Sequence, residues 1–368
     1  MIAKSKVTMD DPNVKTVHCS GSPFEIGLTH GSAASTEIHH NVATYTYFFG
    51  ETAKITWDEA RRRAVQRFLP TIERQWPEIV EEMRGIAEGA GRGLTLADIV
   101  TLNVRTEIAF TNYTDGCTSV GQIAQDGKMF LAQNWDMIPE LQKGMVFLHI
   151  QPAGSDIAIR FLGEAGIVGK IGMNSAGFGF CMNALRSGAL NQNGMPVHIM
   201  SRRLLQYASS FSSAVAIIEE FGLASSINYL LADRSGNFAD LECSPLGVFT
   251  ISPQGGYVAH ANHFYGPGRP VKLVDHPASD SFKRLARMQE LTERDLDLAL
   301  PTTFESLRAR LSDEQGSPPA ICRSVPPGAV GIDRIITLGT ILMDLTSCTG
   351  RVVIGRPCED LPVVDWSF

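Results

Sequence analysis

The stretch Asp115-Gly116-Cys117-Thr118-Ser119 places a glycine immediately before a cysteine that opens a strand-like run. Cutting the Gly116-Cys117 bond would put two reactive groups on one residue. Cysteine sulfur attacks as the thiolate, and a free α-amino group titrates near ~7.7 to 8.0, so the new terminus would carry its own proton acceptor at neutral pH. Within an uncut chain that amine does not exist. Glycine suits the upstream side of a scissile bond, because it tolerates strained φ/ψ values and leaves room for the sulfur to reach the carbonyl. On local grounds the same residues also fit a glycine turn followed by a buried cysteine.

Two strand-like runs, Thr118 to Ala124 and Lys128 to Asn134, flank Asp126-Gly127, a strong hairpin signal. With Asp126 and Gly127 as the central turn residues, Gln125 faces Lys128 and Cys117 faces Asp136. Directly opposite Cβ atoms lie ~4.5 to 5.5 Å apart on one face, which lets the Asp136 carboxylate hold the amine or steady the cysteine. A three-residue turn would set Trp135 or Met137 opposite Cys117, since a one-residue slip reverses every side chain. Asp136 also fits an ordinary strand-end turn residue.

Asp115-Gly116-Cys117-Thr118 followed by Gln133-Asn134-Trp135-Asp136 resembles the isopenicillin N acyltransferase family, the acyl-coenzyme A:6-aminopenicillanic acid acyltransferases of the N-terminal nucleophile hydrolase superfamily. The resemblance continues in Gly21-Ser22-Pro23-Phe24-Glu25-Ile26-Gly27 with His30-Gly31, and in Glu164-Ala165-Gly166-Ile167-Val168-Gly169-Lys170. It extends through Gly172 to Gly177, Met182-Asn183-Ala184-Leu185, His260-Ala261-Asn262-His263, Ile321-Cys322-Arg323 and Gly355-Arg356-Pro357. What it implies is self-cleavage before Cys117 into an α chain of residues 1–116 and a β chain of residues 117–368 that stay associated as one compact domain. Cys117 matches the nucleophile, Asp136 its carboxylate partner, Asn262 the oxyanion-stabilising asparagine and Arg323 the arginine near the nucleophile. Asn183 matches a second asparagine of the site. Two departures stand out. The chain ends Trp366-Ser367-Phe368, unlike the peroxisomal tripeptide of the penicillin-making enzymes, which favours the cytoplasm over the peroxisome. Ala320 stands where the family carries a serine ahead of Ile-Cys-Arg, which points away from a penicillin precursor as natural substrate.

The elements that must position these residues follow from pattern. Thr56 with Glu59 reads as a capping box ahead of a helix from Ala60 to Leu69, interrupted by Pro70, with a second run from Thr71 to Gly89. Thr95 with Asp98 opens another helix toward Phe110. After Cys117 short strands take over, including Val146 to Ile150, Ile157 to Leu162 and Ile167 to Asn174. A helix pair follows, Val197 to Tyr207 and Ser212 to Phe221. Strands return at Ile227 to Ala232, Phe238 to Cys243, Val248 to Ser252 and Tyr257 to Ala261, delivering Asn262 at a strand end. Ser281 to Glu290 and Phe304 to Leu311 read as helices before the closing strands Arg334 to Leu345 and Arg351 to Ile354. Strand blocks alternating with paired helices favour an α+β fold of mostly antiparallel sheets covered by helices. The resemblance sharpens this to the four-layer αββα sandwich.

Composition limits the partners. The 368 residues are 44% hydrophobic, enough for a large core, and a net charge of −7 argues against nucleic acid. The Arg61-Arg62-Arg63 cluster with Arg67 reads as a solvated helix face. No apolar run reaches membrane-spanning length, and no signal-peptide core precedes Asp11. Seven scattered cysteines suit a reducing compartment. His260 and His263 lack further ligands for a metal, adjacent His39 and His40 would point to different faces, and Gly89 to Gly93 follows a helix rather than a strand, which fails the context for nucleotide binding. No cofactor is expected beyond an acyl thioester, such as acyl-coenzyme A, as co-substrate. The implied reaction forms an S-acyl-Cys117 enzyme and passes the acyl group to an amine, with amide hydrolysis through the same residues as the alternative and a non-catalytic scaffold as the third reading.

Overall fold

Strand β1 (Thr16–Gly21) leads into a helical block: α1 (Pro23–Ala33), α2 (Ser35–Thr52), α3 (Trp57–Arg63), α4 (Leu69–Gln75), α5 (Pro77–Ala90), α6 (Leu96–Asn103) and α7 (Arg105–Ala109). The computed structural model describes residues 15–109, 116–316 and 320–368. Asp115 of the cysteine motif and Ser317-Pro318-Pro319 of the loop before Arg323 therefore lie outside the described residues. β2 (Gly116–Ile123) and β3 (Met129–Met137) form the hairpin, followed by β4 (Met145–Pro152), β5 (Ile159–Glu164), β6 (Ile171–Asn174) and β7 (Phe178–Ala184). The helices α8 (Val197–Tyr207) and α9 (Phe211–Phe221) separate these from β8 (Ile227–Asp233), β9 (Phe238–Ser244), β10 (Gly247–Ile251) and β11 (Tyr257–His260). Helices α10 (Ser281–Asp297) and α11 (Phe304–Leu311) precede β12 (Ile336–Asp344), β13 (Thr349–Ile354) and β14 (Val364–Ser367).

The strands form an eight-stranded sheet, β1-β4-β5-β6-β7-β8-β9-β10, and a six-stranded sheet, β11-β2-β3-β12-β13-β14. Every strand pair is antiparallel except β1 with β4. The sheets stack face to face through β2 and β3 on β7, while α8 and α9 cover β6 and β8, and α10 and α11 cover β2, β11, β3 and β12 from the other side. Helix, sheet, sheet, helix is the layer order the sequence led us to expect. Most of the buried apolar residues join one core, and a smaller one under α10 and α11 holds Val120, Phe130, Ala132, Leu285, Met288 and Leu291. Among the described residues no helix is long and apolar enough to cross a membrane.

Pro70 does not interrupt its helix. The chain widens into a π-turn over Ala64–Phe68 and re-enters α4 with Pro70 in the first turn, where the missing N–H costs no hydrogen bond. The break falls at Trp76, which precedes Pro77 and is pushed out of the helical region (φ −158, ψ 75). The segment at 21–31 serves packing. Ser22 caps α1 in a reciprocal box with Glu25, and Gly27 and Gly31 on α1 lie against Gly85 and Gly89 on α5. A Cβ on Gly27 or Gly31 would overlap the Glu82 or Ile86 carbonyl, and one on Gly85 or Gly89 the Phe24 or Leu28 carbonyl. Backbone cannot swing aside, so Gly27→Val must push the helices apart. We expect a loss of about 3 kcal/mol, read as a fall of roughly 6 °C in melting temperature; an unchanged melting temperature would show that the two helices tolerate separation.

Candidate active site

The hairpin register differs from the expected one by a residue. Ala124 and Lys128 pair across a three-residue loop in which Gly127 adopts φ +83, so the Asp126-Gly127 signal marks a turn closed by a left-handed glycine rather than a two-residue turn. Gly116 therefore faces Asp136, and Cys117 faces Trp135. Asp136 projects from the opposite face of the hairpin to the Cys117 side chain, not the shared face the two-residue turn required.

That placement gives glycine at 116 a different reason. Its φ is not in the left-handed range, but a Cβ there would sit 2.7 Å from Asp136 Oδ2 and 3.1 Å from Arg323 Cζ. The space a side chain needs is filled by the Asp136–Arg323 pair. Arg323 Nε lies 3.2 Å from Asp136 Oδ2, and its NH2 group pairs with Asp280. Thr337 donates its hydroxyl to Asp136 Oδ1 at 2.7 Å and accepts the Arg323 N–H at 2.9 Å. Arg356 in turn donates to the Arg323 carbonyl at 3.0 Å. Burial pushes the Asp136 carboxyl above its ordinary range, opposed by Arg323, Arg284 and the Thr337 hydroxyl.

On the downstream side of the Gly116-Cys117 bond, the Cys117 N–H donates to Asn262 Oδ1 at 2.8 Å. Arg284 on α10 donates to the Cys117 carbonyl, to Thr118 Oγ1 at 3.1 Å and to Asn262 Oδ1 at 2.9 Å. Both partners of that Asn262 atom are pure donors, so it is the amide oxygen, and Nδ2 is left to donate to the Ala184 carbonyl at 3.1 Å. Asn262 is itself fixed by its N–H on Ser281 Oγ at 2.6 Å. Asp280 links the two arginines, lying 3.4 Å from Arg284 NH2. Two carboxylates and two guanidiniums thus alternate around one peptide bond.

Asn183 stands on β7, which packs under β2. Its Oδ1 accepts from Ser119 Oγ at 2.8 Å and from Asn228 Nδ2 at 3.2 Å, while its buried Nδ2 has no acceptor among the described residues. Cys117, 3% exposed, lines a small pocket together with Arg105, Trp135, Lys170, Met182 and Ala184. Below it, Glu164 accepts from Tyr45 at 2.6 Å, Arg105 at 2.8 Å and Lys170 at 2.7 Å. Against burial, which pushes it up, Arg105 and Lys170 hold that carboxyl far below its usual range. The Glu164-to-Lys170 loop is clamped by the helical block: His30 accepts the Gly166 N–H at 3.0 Å, Asn103 donates to the Gly166 carbonyl at 2.8 Å, and Asn41 donates to Ala165 at 2.9 Å. His30 can accept there because burial lowers its pKa to about 3 and keeps the ring neutral. Asn174, from the glycine-rich motif at 172–177, caps the end of α8 through the Leu205 and Ala208 carbonyls.

Cys117, Asp136, Asn262 and Arg323 therefore converge on Gly116-Cys117, with Asn183 beside them on the neighbouring sheet. The sequence reading passed over Arg284, Asp280 and Thr337. One signal for Arg284 was available, since it falls on the buried stripe of α10 with Leu285, Met288 and Leu291, where a charge is out of place. His260 and His263 do not form a metal site, and among the described residues no cluster of His, Cys, Asp and Glu could hold one. No disulfide links the seven cysteines.

A family model described as acyl-coenzyme A:6-aminopenicillanic acid acyl-transferase matches residues 123–357, beginning just after Cys117. The 40 kDa form of acyl-coenzyme A:6-aminopenicillanic-acid-acyltransferase from Emericella nidulans is 33% identical over 346 residues, 93% of this chain and 92% of that protein. Among solved structures, a conjugated bile acid hydrolase variant from Clostridium perfringens matches 68% of this chain and 97% of its own, with 10% identity and a TM-score of 0.46. Penicillin V acylase from Agrobacterium tumefaciens matches 65% of this chain and 83% of its own, with 17% identity and a TM-score of 0.37. Neither of these two likenesses bears on the reaction.

Proposed function

Because this chain belongs to the acyl-coenzyme A:6-aminopenicillanic acid acyl-transferase family, we propose that it cuts itself before Cys117 and then carries acyl groups on the exposed cysteine. Its chemistry is acyl transfer or amide hydrolysis; we favour transfer from an acyl thioester, such as acyl-coenzyme A, to an amine. The observation that carries this reading is the Cys117 N–H seated on Asn262 Oδ1 at 2.8 Å among the buried charges of Asp136 and Arg284 and the partly buried ones of Arg323 and Asp280. In the precursor, Cys117 sulfur attacks the Gly116 carbonyl, the C–N bond breaks as the nitrogen takes a proton, and water hydrolyses the resulting thioester. Cleavage leaves residues 1–116 held to residues 117–368 by the His30, Asn41 and Asn103 contacts and the Arg105–Glu164 pair.

The new amine inherits the place of the Cys117 N–H. Asn262 Oδ1 holds it, and the Arg284 guanidinium on that same oxygen disfavours the ammonium form, which keeps the amine a base able to take the thiol proton. Asn183 Nδ2, a buried donor without an acceptor, supplies the hydrogen bond to the oxyanion, with Asn262 Nδ2 as second donor. The pocket beside Cys117 receives the acyl chain, and Asp136 with Arg323 borders the side from which Gly116 is displaced and the acceptor enters. The test is to incubate purified protein with a series of acyl-coenzyme A thioesters, with and without amino-acid and β-lactam amines, and follow products by mass. Amide product is expected. Free acid alone in the presence of amine would replace transfer by hydrolysis, and no turnover of any donor would overturn both.

A further inference from the structure

Behind the two asparagines lies a buried cluster that the mechanism above does not use. Asp240 and Glu242 stand two apart on β9 and so share a face, and His260 ends β11 on the other sheet. The His260 ring touches acceptors at both nitrogens, the Ala261 carbonyl at 2.8 Å from Nδ1 and Glu242 Oε1 at 3.1 Å from Nε2. Two acceptors require two N–H groups, so His260 is an imidazolium; its pKa lies above the ordinary value because Glu242 and Asp240 outweigh burial. Glu242 also takes the N–H groups of Tyr265 at 2.7 Å and Gly266 at 3.0 Å.

The same cluster reaches the site along two routes. Asn228 Nδ2 donates both to Asp240 Oδ1 at 2.8 Å and to Asn183 Oδ1 at 3.2 Å. Asp240 thereby fixes which end of the Asn228 amide faces Asn183, and Asn228 with Ser119 fixes which end of Asn183 is left to donate. On the other route the imidazolium grips the carbonyl of Ala261, the residue before Asn262. We propose that Asp240, Glu242 and His260 form a charged bracket between the sheets that positions both site asparagines, Asp240 acting on Asn183 through Asn228 and His260 acting on Asn262 through the Ala261 carbonyl. This rests on the reading of Asn183 as an oxyanion donor.

The bracket is pH-sensitive on its acid side. Asp240 is faced by His260 from β11, Glu242 from its own strand, Asn228 from β8, Cys181 from β7 and Tyr265 from the loop after β11. Burial raises its carboxyl to about 6, so its charge is present above that pH and lost below it. A neutral acid accepts more weakly from Asn228 and no longer dictates the amide's orientation.

The test is a double-mutant cycle on the rate of Cys117 acylation by hexanoyl-coenzyme A, with folding checked by near-ultraviolet circular dichroism. Asp240→Asn is expected to slow acylation about tenfold with KM unchanged, the equivalent of ~1.4 kcal/mol, and to remove the loss of rate centred near pH 6. In an Asn183→Ala background the same change is expected to cost under about twofold, because its route is gone. Asn228→Ala, which cuts the relay without touching a charge, should reproduce Asp240→Asn and serves if the latter fails to fold. Equal losses in both backgrounds, or no loss from either variant, would overturn the bracket. A fully active Asn183→Ala protein would instead remove the donor role on which it rests.

Discussion

Arg284→Met is expected to leave most of the protein as a single uncut chain and to lower acyl transfer by whatever fraction is cut by about 10²- to 10⁴-fold. The guanidinium is fully buried and joins the Cys117 carbonyl, Thr118, Asn262 Oδ1 and Asp280. Methionine fills the volume and supplies none of those donors. Hydrogen bonds to a charged donor are worth ~1.5 to 3 kcal/mol each, and losing the two that hold Cys117 and Asn262 in place amounts to about 3 to 6 kcal/mol, roughly two to four decades in rate. Arg284→Lys keeps the charge without the planar fork, so one ammonium must choose between the Cys117 carbonyl and Asn262; partial cleavage is expected. Denaturing gels over a time course, beside melting curves, separate lost chemistry from lost fold. Cleavage of folded Arg284→Met at the unaltered rate would remove Arg284 from the account.

Gly116→Val is the second large effect. The added Cβ would lie 2.7 Å from Asp136 Oδ2 with no rotamer to relieve it, and the branched methyls would meet the Arg323 guanidinium. Asp136 is held by Thr337 and Arg323 by Thr337 and Arg356, so neither side chain retreats cheaply. The strand must move instead, and a displacement near 1 Å at a reacting carbonyl costs about 10²-fold. The measurement is the half-time of precursor cleavage after rapid refolding. Because the backbone of Gly116 lies outside the left-handed range, conformation does not require glycine there, and the expected loss comes from the contact with Asp136 and Arg323. Cleavage of Gly116→Val at the unaltered rate would show that this contact does not constrain the scissile bond.

Much of this was legible in the chain, for identifiable reasons. The helix N-caps at Thr56 and Thr95 are local, and the periodic helices α8, α9 and α11 match their expected spans closely. Mostly antiparallel sheets covered by helices followed from blocks of strands between paired helices, and the four-layer order from the family resemblance. What failed was decided by single residues or by distance along the chain. Asp126-Gly127 serves a two-residue turn and a three-residue loop equally well, and only the structure shows which, so the pairing of Cys117 with Trp135 was open. Pro70 was read as a breaker because a π-turn leaves no mark in composition. β1 was missed, although Val17 and Cys19 alternate buried with more exposed neighbours, because six residues give a short period-two signal. Arg284 lies 167 residues from Cys117, and no local pattern announces such a meeting. Asn262 and Arg323 stood out through the family resemblance; their neighbours on the sequence would have passed as a strand end and a loop.

The central claim is that Cys117 becomes an N-terminal residue by its own action, and intact mass under denaturing conditions tests it most directly. Freshly purified protein and Cys117→Ala should be incubated side by side and weighed over time. The account predicts two fragments meeting between Gly116 and Cys117 in the unaltered protein, of 116 and 252 residues, and one 368-residue chain in the variant. A folded, unaltered protein that stays at 40.0 kDa through prolonged incubation, or a Cys117→Ala chain that is cut at the same bond, would contradict it.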